Sequence, residues 1–172
     1  MIYVDMNEYR FEEIWSKGSS ALRLSAKMHR GEWGVWLEVC RAMKGMERKI
    51  PSKGERKYNW EEKLVFRLSE KDLSQIGSHL EAPQKGVLVD LFHHFGEKKK
   101  QLQVTMDGPD RFFLKAQETA VSSIPKEIKG DRTESIVVLL DGADLWGFKE
   151  CIKIAYRGLI CNKGSGFVEQ AI

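Results

Sequence analysis

The chain is 172 residues long, 42% apolar and 31% charged, a composition that excludes wholesale disorder. No apolar run approaches the ~18 residues of a bilayer-spanning helix. Cys40, Cys151 and Cys161 are odd in number and form no C-x-x-C pair, which argues against a disulfide framework and for a reducing compartment. The net charge of +3 is unevenly spread: residues 1–15 hold one Arg against four acids (−3), residues 16–60 six Lys and five Arg against four Glu (+7), and residues 61–172 sixteen bases against seventeen acids (−1). So compact a basic stretch points to a polyanionic partner.

Met1–Glu8 has neither the basic segment nor the apolar stretch of a signal peptide and is too acidic for a transit peptide, so a cytoplasmic location is the expectation. Residues 1–15 read as an N-terminal extension, 16–161 as one domain and 162–172 as a flexible tail. Leu22, Leu24, Ala26 and Met28 alternate with Arg23, Ser25 and Lys27, the period of a half-buried strand. His29-Arg30-Gly31-Glu32 reads as a hairpin turn into a second strand, with Trp33, Val35, Leu37 and Val39 inward and Trp36 and Glu38 outward. Residues 43–55 form a basic loop, Arg56–Trp60 a short strand, and Lys63–Leu68 a further strand.

Ser69 and Asp72 then resemble a capping box, and Leu73, Ile76 and Leu80 follow at helical spacing, which predicts a helix over 70–80. Strands resume at Val87–Phe92, Lys98–Met106 and Arg111–Gln117, with Asp107-Gly108-Pro109-Asp110 as a turn. A polar linker covers 118–133. Ile136–Leu140 is an uninterrupted apolar run, expected to be buried on both faces. Leu145, Phe148, Ile152, Ala155, Tyr156 and Leu159 make one stripe of a final helix, capped by Asp141 or Asp144. The expectation is an α+β fold, ββββα-ββββα, with antiparallel strands segregated from helices.

Chemical motifs are sparse. Neither a phosphate-binding G-x-x-x-x-G-K-[ST] nor a G-x-G-x-x-G is present. His93 and His94 point to opposite faces of a regular strand and cannot share a metal, while His29 and His79 lack ligand-spaced partners. A protein without catalytic residues, metal or cofactor is the expectation. What the strands offer instead is cations interleaved with aromatics on outward faces: Arg23 and Lys27, Trp36, Lys57 beside Tyr58 and Trp60, and Phe113 between Arg111 and Lys115. Sequence-independent binding of single strands needs this combination, cations for phosphates and aromatic faces for bases.

Lys17-Gly18-Ser19-Ser20-Ala21-Leu22 resembles the KGKAAL signature of the Whirly single-stranded-DNA-binding proteins. Tyr58-Asn59-Trp60, Lys63, Phe66 and Leu68-Ser69 resemble their YDW-x-x-K-x-x-F-x-L-S segment, and Gly108 with Phe112-Phe113 their G-x-FF-x-L strand. The resemblance covers about residues 15–160. It implies two four-stranded antiparallel sheets packed crosswise against a helical kernel, and a homotetramer assembled through the C-terminal helix. It also implies binding of single-stranded DNA, or of RNA as in the guide-RNA-binding proteins of like fold, in a role such as transcription regulation, repair or strand protection. Lys17, Arg23, Lys27, Lys57, Arg111 and Lys115 would then meet phosphates, and Trp36, Tyr58, Trp60 and Phe113 would stack on bases. Ser19 replaces the second Lys of the signature and removes one cation. The alternative from the same features is an oligomeric protein-interaction scaffold without a nucleic-acid ligand.

Overall fold

Alternating apolar residues build two meanders, each closed by one helix. The structure is a computed structural model and describes residues 6–83, 86, 88–96, 98–120 and 133–166. A 3-10 turn at Met6–Tyr9 leads into β1 (Phe11–Lys17), β2 (Ser20–His29), β3 (Glu32–Arg41) and β4 (Leu64–Leu68), followed by α1 (Glu70–Glu81). The second unit is β5 (Leu88–Phe95), β6 (Lys98–Met106), β7 (Arg111–Ala120), β8 (Thr133–Asp141) and α2 (Gly142–Gly166). The sheets are antiparallel, with orders β1-β2-β3-β4 and β5-β6-β7-β8, so the expected ββββα-ββββα order holds.

Its first strand is not the expected one. Phe11–Lys17, set aside as mostly extension, pairs along its whole length with β2, from Phe11 opposite Ala26 to Lys17 opposite Ser20. Its burial is one-sided and rests mainly on Trp15, which hides the period-2 signal among Glu12, Glu13 and Ser16. Conversely, Arg56–Trp60 is no strand. Tyr58 makes a lone bridge to Ala42, and Trp60–Glu62 turns as a 3-10 helix capped by Asn59. Two further readings change. Val137, inside the apolar run, is 50% exposed because β8 covers only one face. α2 runs on to Gly166, past Asn162 where the tail was expected to begin. The hairpin at Arg30-Gly31 holds both residues at positive φ, 51° and 81°, the conformation of the turn whose twist matches a two-residue hairpin. The Ser69–Asp72 capping box forms in both directions.

Inner faces make one core. Leu22, Leu24, Val35, Leu37 and Phe66 of the first sheet meet Leu102, Val104, Phe112 and Val138 of the second, and α2 inserts Phe148, Ile152 and Ala155. Phe148 lies 5.4 Å from the Trp15 ring, edge-on, and 5.2 Å from Phe112. The sheets cross at a corner built of side chains. Lys17 at the end of β1 pairs with Asp141, Ser20 at the start of β2 donates to the Val137 carbonyl at 2.7 Å, and Arg41 at the end of β3 donates to the Ser135 carbonyl. Three neighbouring strand ends thus meet β8 in order at Asp141, Val137 and Ser135, so β8 runs across them.

Candidate nucleic-acid interface

The outer face of the first sheet is set by register. Ser25 stands opposite Trp36 and Glu12, and Trp36 opposite Arg67; one rung on, Arg23 stands opposite Glu38 and Ile14. Trp36 lies flat along the sheet over Gly34, where a Cβ would come within 2.5 Å of the indole. The ring is half-buried, with the Arg67 guanidinium 6.0 Å from its centroid and His29 meeting its edge at 5.8 Å.

A second platform sits beyond the end of β3. The Arg23 guanidinium lies 4.6 Å from the Trp60 ring, a contact that fixes the indole by cation–π attraction. Lys57 lies 5.6 Å from the Tyr58 ring, and the Tyr58 hydroxyl donates to the Gly18 carbonyl at 3.4 Å. The Met43 N–H donates to the Lys57 carbonyl and the Asn59 N–H to the Arg41 carbonyl, tying the ends of the basic loop together. Around these lies a concave cleft of about 440 Å³ lined by Arg23, Met43, Arg56, Lys57, Tyr58, Asn59, Trp60 and Glu61. It gathers Arg23, Lys57, Tyr58 and Trp60 at one place.

The cations of this sheet are occupied. Glu38, 8% exposed, accepts from Arg23 and lies 2.6 Å from Lys63. Burial pulls its carboxyl up, but the hydrogen bonds and charges of Arg23 and Lys63 outweigh that and hold it below the ordinary range. Lys27 reaches Glu12 at 3.4 Å and Arg67 reaches Glu32 at 3.0 Å. In contrast, the loop cations Lys44, Arg48, Lys49, Lys53 and Arg56 are exposed and make no ion pair with a described residue. Within the +7 stretch, Lys17, Arg23 and Lys27 on the strands are thus matched by carboxylates, whereas the loop cations stand open to solvent beside the Trp60 cleft.

The remaining candidates lie elsewhere. Lys17 belongs to the sheet corner with Asp141. Arg111, Phe113 and Lys115 share the outer face of the second sheet, with Arg111 5.6 Å from the Phe113 ring and 3.7 Å from Asp107. Phe113 stands in a row between Thr105 and Leu139. The ten candidates therefore occupy two faces and a corner. Arg67, Lys63 and Arg56 border these platforms without being among the ten. The first two are legible only once β4 is in register with β3, and Arg56 only once the loop folds back on Tyr58.

Two crossed antiparallel meanders, each followed by a helix, with an aromatic and basic outer face, define a Whirly-like α+β fold. WHY3 from Arabidopsis thaliana, a Whirly protein known by its crystal structure, is similar over 99% of this chain and 96% of its own, with a TM-score of 0.62 and 16% sequence identity. No protein-family model and no curated protein matches the chain.

Proposed function

We propose that this is a non-enzymatic protein that binds single-stranded nucleic acid, DNA foremost, with little dependence on sequence. The observation that carries the reading is the cleft at Trp60, where two aromatic rings, a Met side chain and three cations converge and a solvent-facing basic loop adjoins. Bases stack there and the loop cations meet phosphates, the division of labour that single-strand binding requires. The likeness of fold to a Whirly protein supports the same reading. Trp146, 68% exposed, and Ile160, 43% exposed, stand on the free side of α2 and support assembly through that helix, as a homotetramer. The three free cysteines suit a reducing, cytoplasmic setting. We infer a role such as transcription regulation, recombination or repair, or strand protection.

Binding of oligo-dT, an RNA of equal length and a duplex, followed by anisotropy at several salt concentrations, tests the reading. Single strands should bind best, with affinity falling as salt rises because counterions are released. Trp60→Ala should weaken binding by ~1–3 kcal/mol, the worth of one stacked base. Duplex binding as tight as single-strand binding would overturn the assignment, and a monomer by light scattering would remove the assembly. If no strand binds, the oligomeric protein scaffold is the reading that stands.

A further inference from the structure

A smaller cleft of about 190 Å³ opens on the outer face of the first sheet, lined by Ser25, Lys27, His29, Trp36 and Glu38. Ser25 is 1% exposed, and its Oγ has no hydrogen-bond partner among the described residues. Its neighbours Leu24 and Ala26 face the core, so strand alternation turns the hydroxyl outward, into the cleft. A buried hydroxyl left unpaired is costly, and native proteins satisfy such groups. No described residue satisfies it, which leaves it for a group that enters the cleft.

The groups around Ser25 are ordered. Lys27 follows it on the same face of β2. Glu38 lies one rung the other way, opposite Arg23. A carboxylate has about four acceptor positions. Arg23 and Lys63 each take one at Glu38, and they hold it ionised, so acceptor capacity remains. Among the described residues Lys27 is bound only by the exposed pair to Glu12 at 3.4 Å, a contact that yields readily to another acceptor. The cleft therefore presents an acceptor at Glu38, a hydroxyl that gives or takes in the middle, and a donor at Lys27, with the Trp36 indole alongside.

We propose that this cleft reads one base of the bound strand and favours cytosine or guanine over thymine and uracil. Cytosine and guanine each carry an amino donor at one end of the pairing edge and a carbonyl acceptor at the other, with a single ring nitrogen between. Cytosine offers its amine to Glu38, its ring nitrogen to the Ser25 hydroxyl and its carbonyl to Lys27. Guanine does so with its own amine, N–H and carbonyl, the hydroxyl then accepting. Thymine and uracil carry carbonyls at both ends and set one against the Glu38 carboxylate. Adenine has the amine but no carbonyl for Lys27. The inference rests on the single-strand reading above and adds to it one base-reading position within an otherwise sequence-tolerant interface.

The test compares a dT 12-mer with 12-mers of alternating dT-dC, dT-dG and dT-dA by anisotropy at fixed salt, for the native chain and Ser25→Ala. The dC and dG strands should bind about tenfold tighter than dT, the discrimination expected of hydrogen bonds to one base edge, with dA between. Ser25→Ala should bring that ratio close to one while its melting temperature holds or rises, because the hydroxyl removed has no partner in the fold. Equal affinity for dT and dT-dC strands overturns the inference, as does a ratio that survives Ser25→Ala. Failure of every strand to bind overturns the single-strand reading with it; binding without preference removes this inference alone.

Discussion

At the scale of single residues, Gly34 matters for the space it leaves. Trp36 can lie along the sheet only because no Cβ rises beneath it; one there would sit 2.5 Å from the indole. Gly34→Ala should lift the ring off the strand and away from His29 and Arg67, changing Trp fluorescence and lowering single-strand affinity several-fold although no aromatic is lost. Unchanged fluorescence and unchanged affinity would show that the flat ring has no part in binding. The outward pointing of Trp36 is legible in the β3 alternation. Its orientation is not, because that depends on a neighbour two residues away and a guanidinium from another strand. Ser25 was readable only as an outward small residue; that its hydroxyl lacks a partner is a property of the assembled sheet.

At the scale of elements, the outer face of β2, β3 and the start of β4 is a charge network around Glu38. Because its folded carboxyl titrates below the ordinary range, the network contributes stability that is full above the unfolded value, ~4.3, and is lost as pH falls through the lower folded one. Glu118, held low first by its hydrogen bond to Lys98, works in the same direction in the second sheet. Glu38→Gln should cost about 2 kcal/mol at pH 7, the scale of hydrogen bonds to a charged group, and should flatten the acid limb of stability below the unfolded value of ~4.3. Urea unfolding at pH 7 and at a series of pH values below ~4.3 checks both; a variant as acid-sensitive as the native chain would place the titrating group elsewhere. The element sequence itself was largely legible, since β2, β3, β6, β7 and both helices carry clean periods. β1 was not, because an edge strand with one deep residue shows almost no alternation. The β8 run misled for the opposite reason: β-branched and Leu residues on an exposed face imitate a doubly buried strand.

For the whole molecule, the formal charge says less than its pairing. Arg23, Lys27 and Lys17 already face Glu38, Glu12 and Asp141, so a nucleic-acid strand crossing the sheet would exchange partners with carboxylates there and would meet a cluster of open cations at the loop. The salt dependence of binding should therefore be shallower than a count of basic residues implies. Sequence located the basic region and four of the residues that line the Trp60 cleft. It could not separate matched from unmatched cations, because matching is decided across strands.

The corner where Lys17, Ser20 and Arg41 meet β8 also bears on how the chain reaches this state. Within each sheet every strand pairs with its sequence neighbour, so even the longest connection inside a meander, between Arg41 and Leu64, closes a far smaller loop than the corner does. The corner joins residues 124, 117 and 94 positions apart, and it closes only after both meanders exist. Such late contacts restrain escape from the native state more than they guide arrival. Lys17→Ala combined with Ser20→Ala should raise the unfolding rate several-fold and leave the refolding rate nearly unchanged in stopped-flow chevrons. A slowed refolding limb would instead make the corner part of the nucleus.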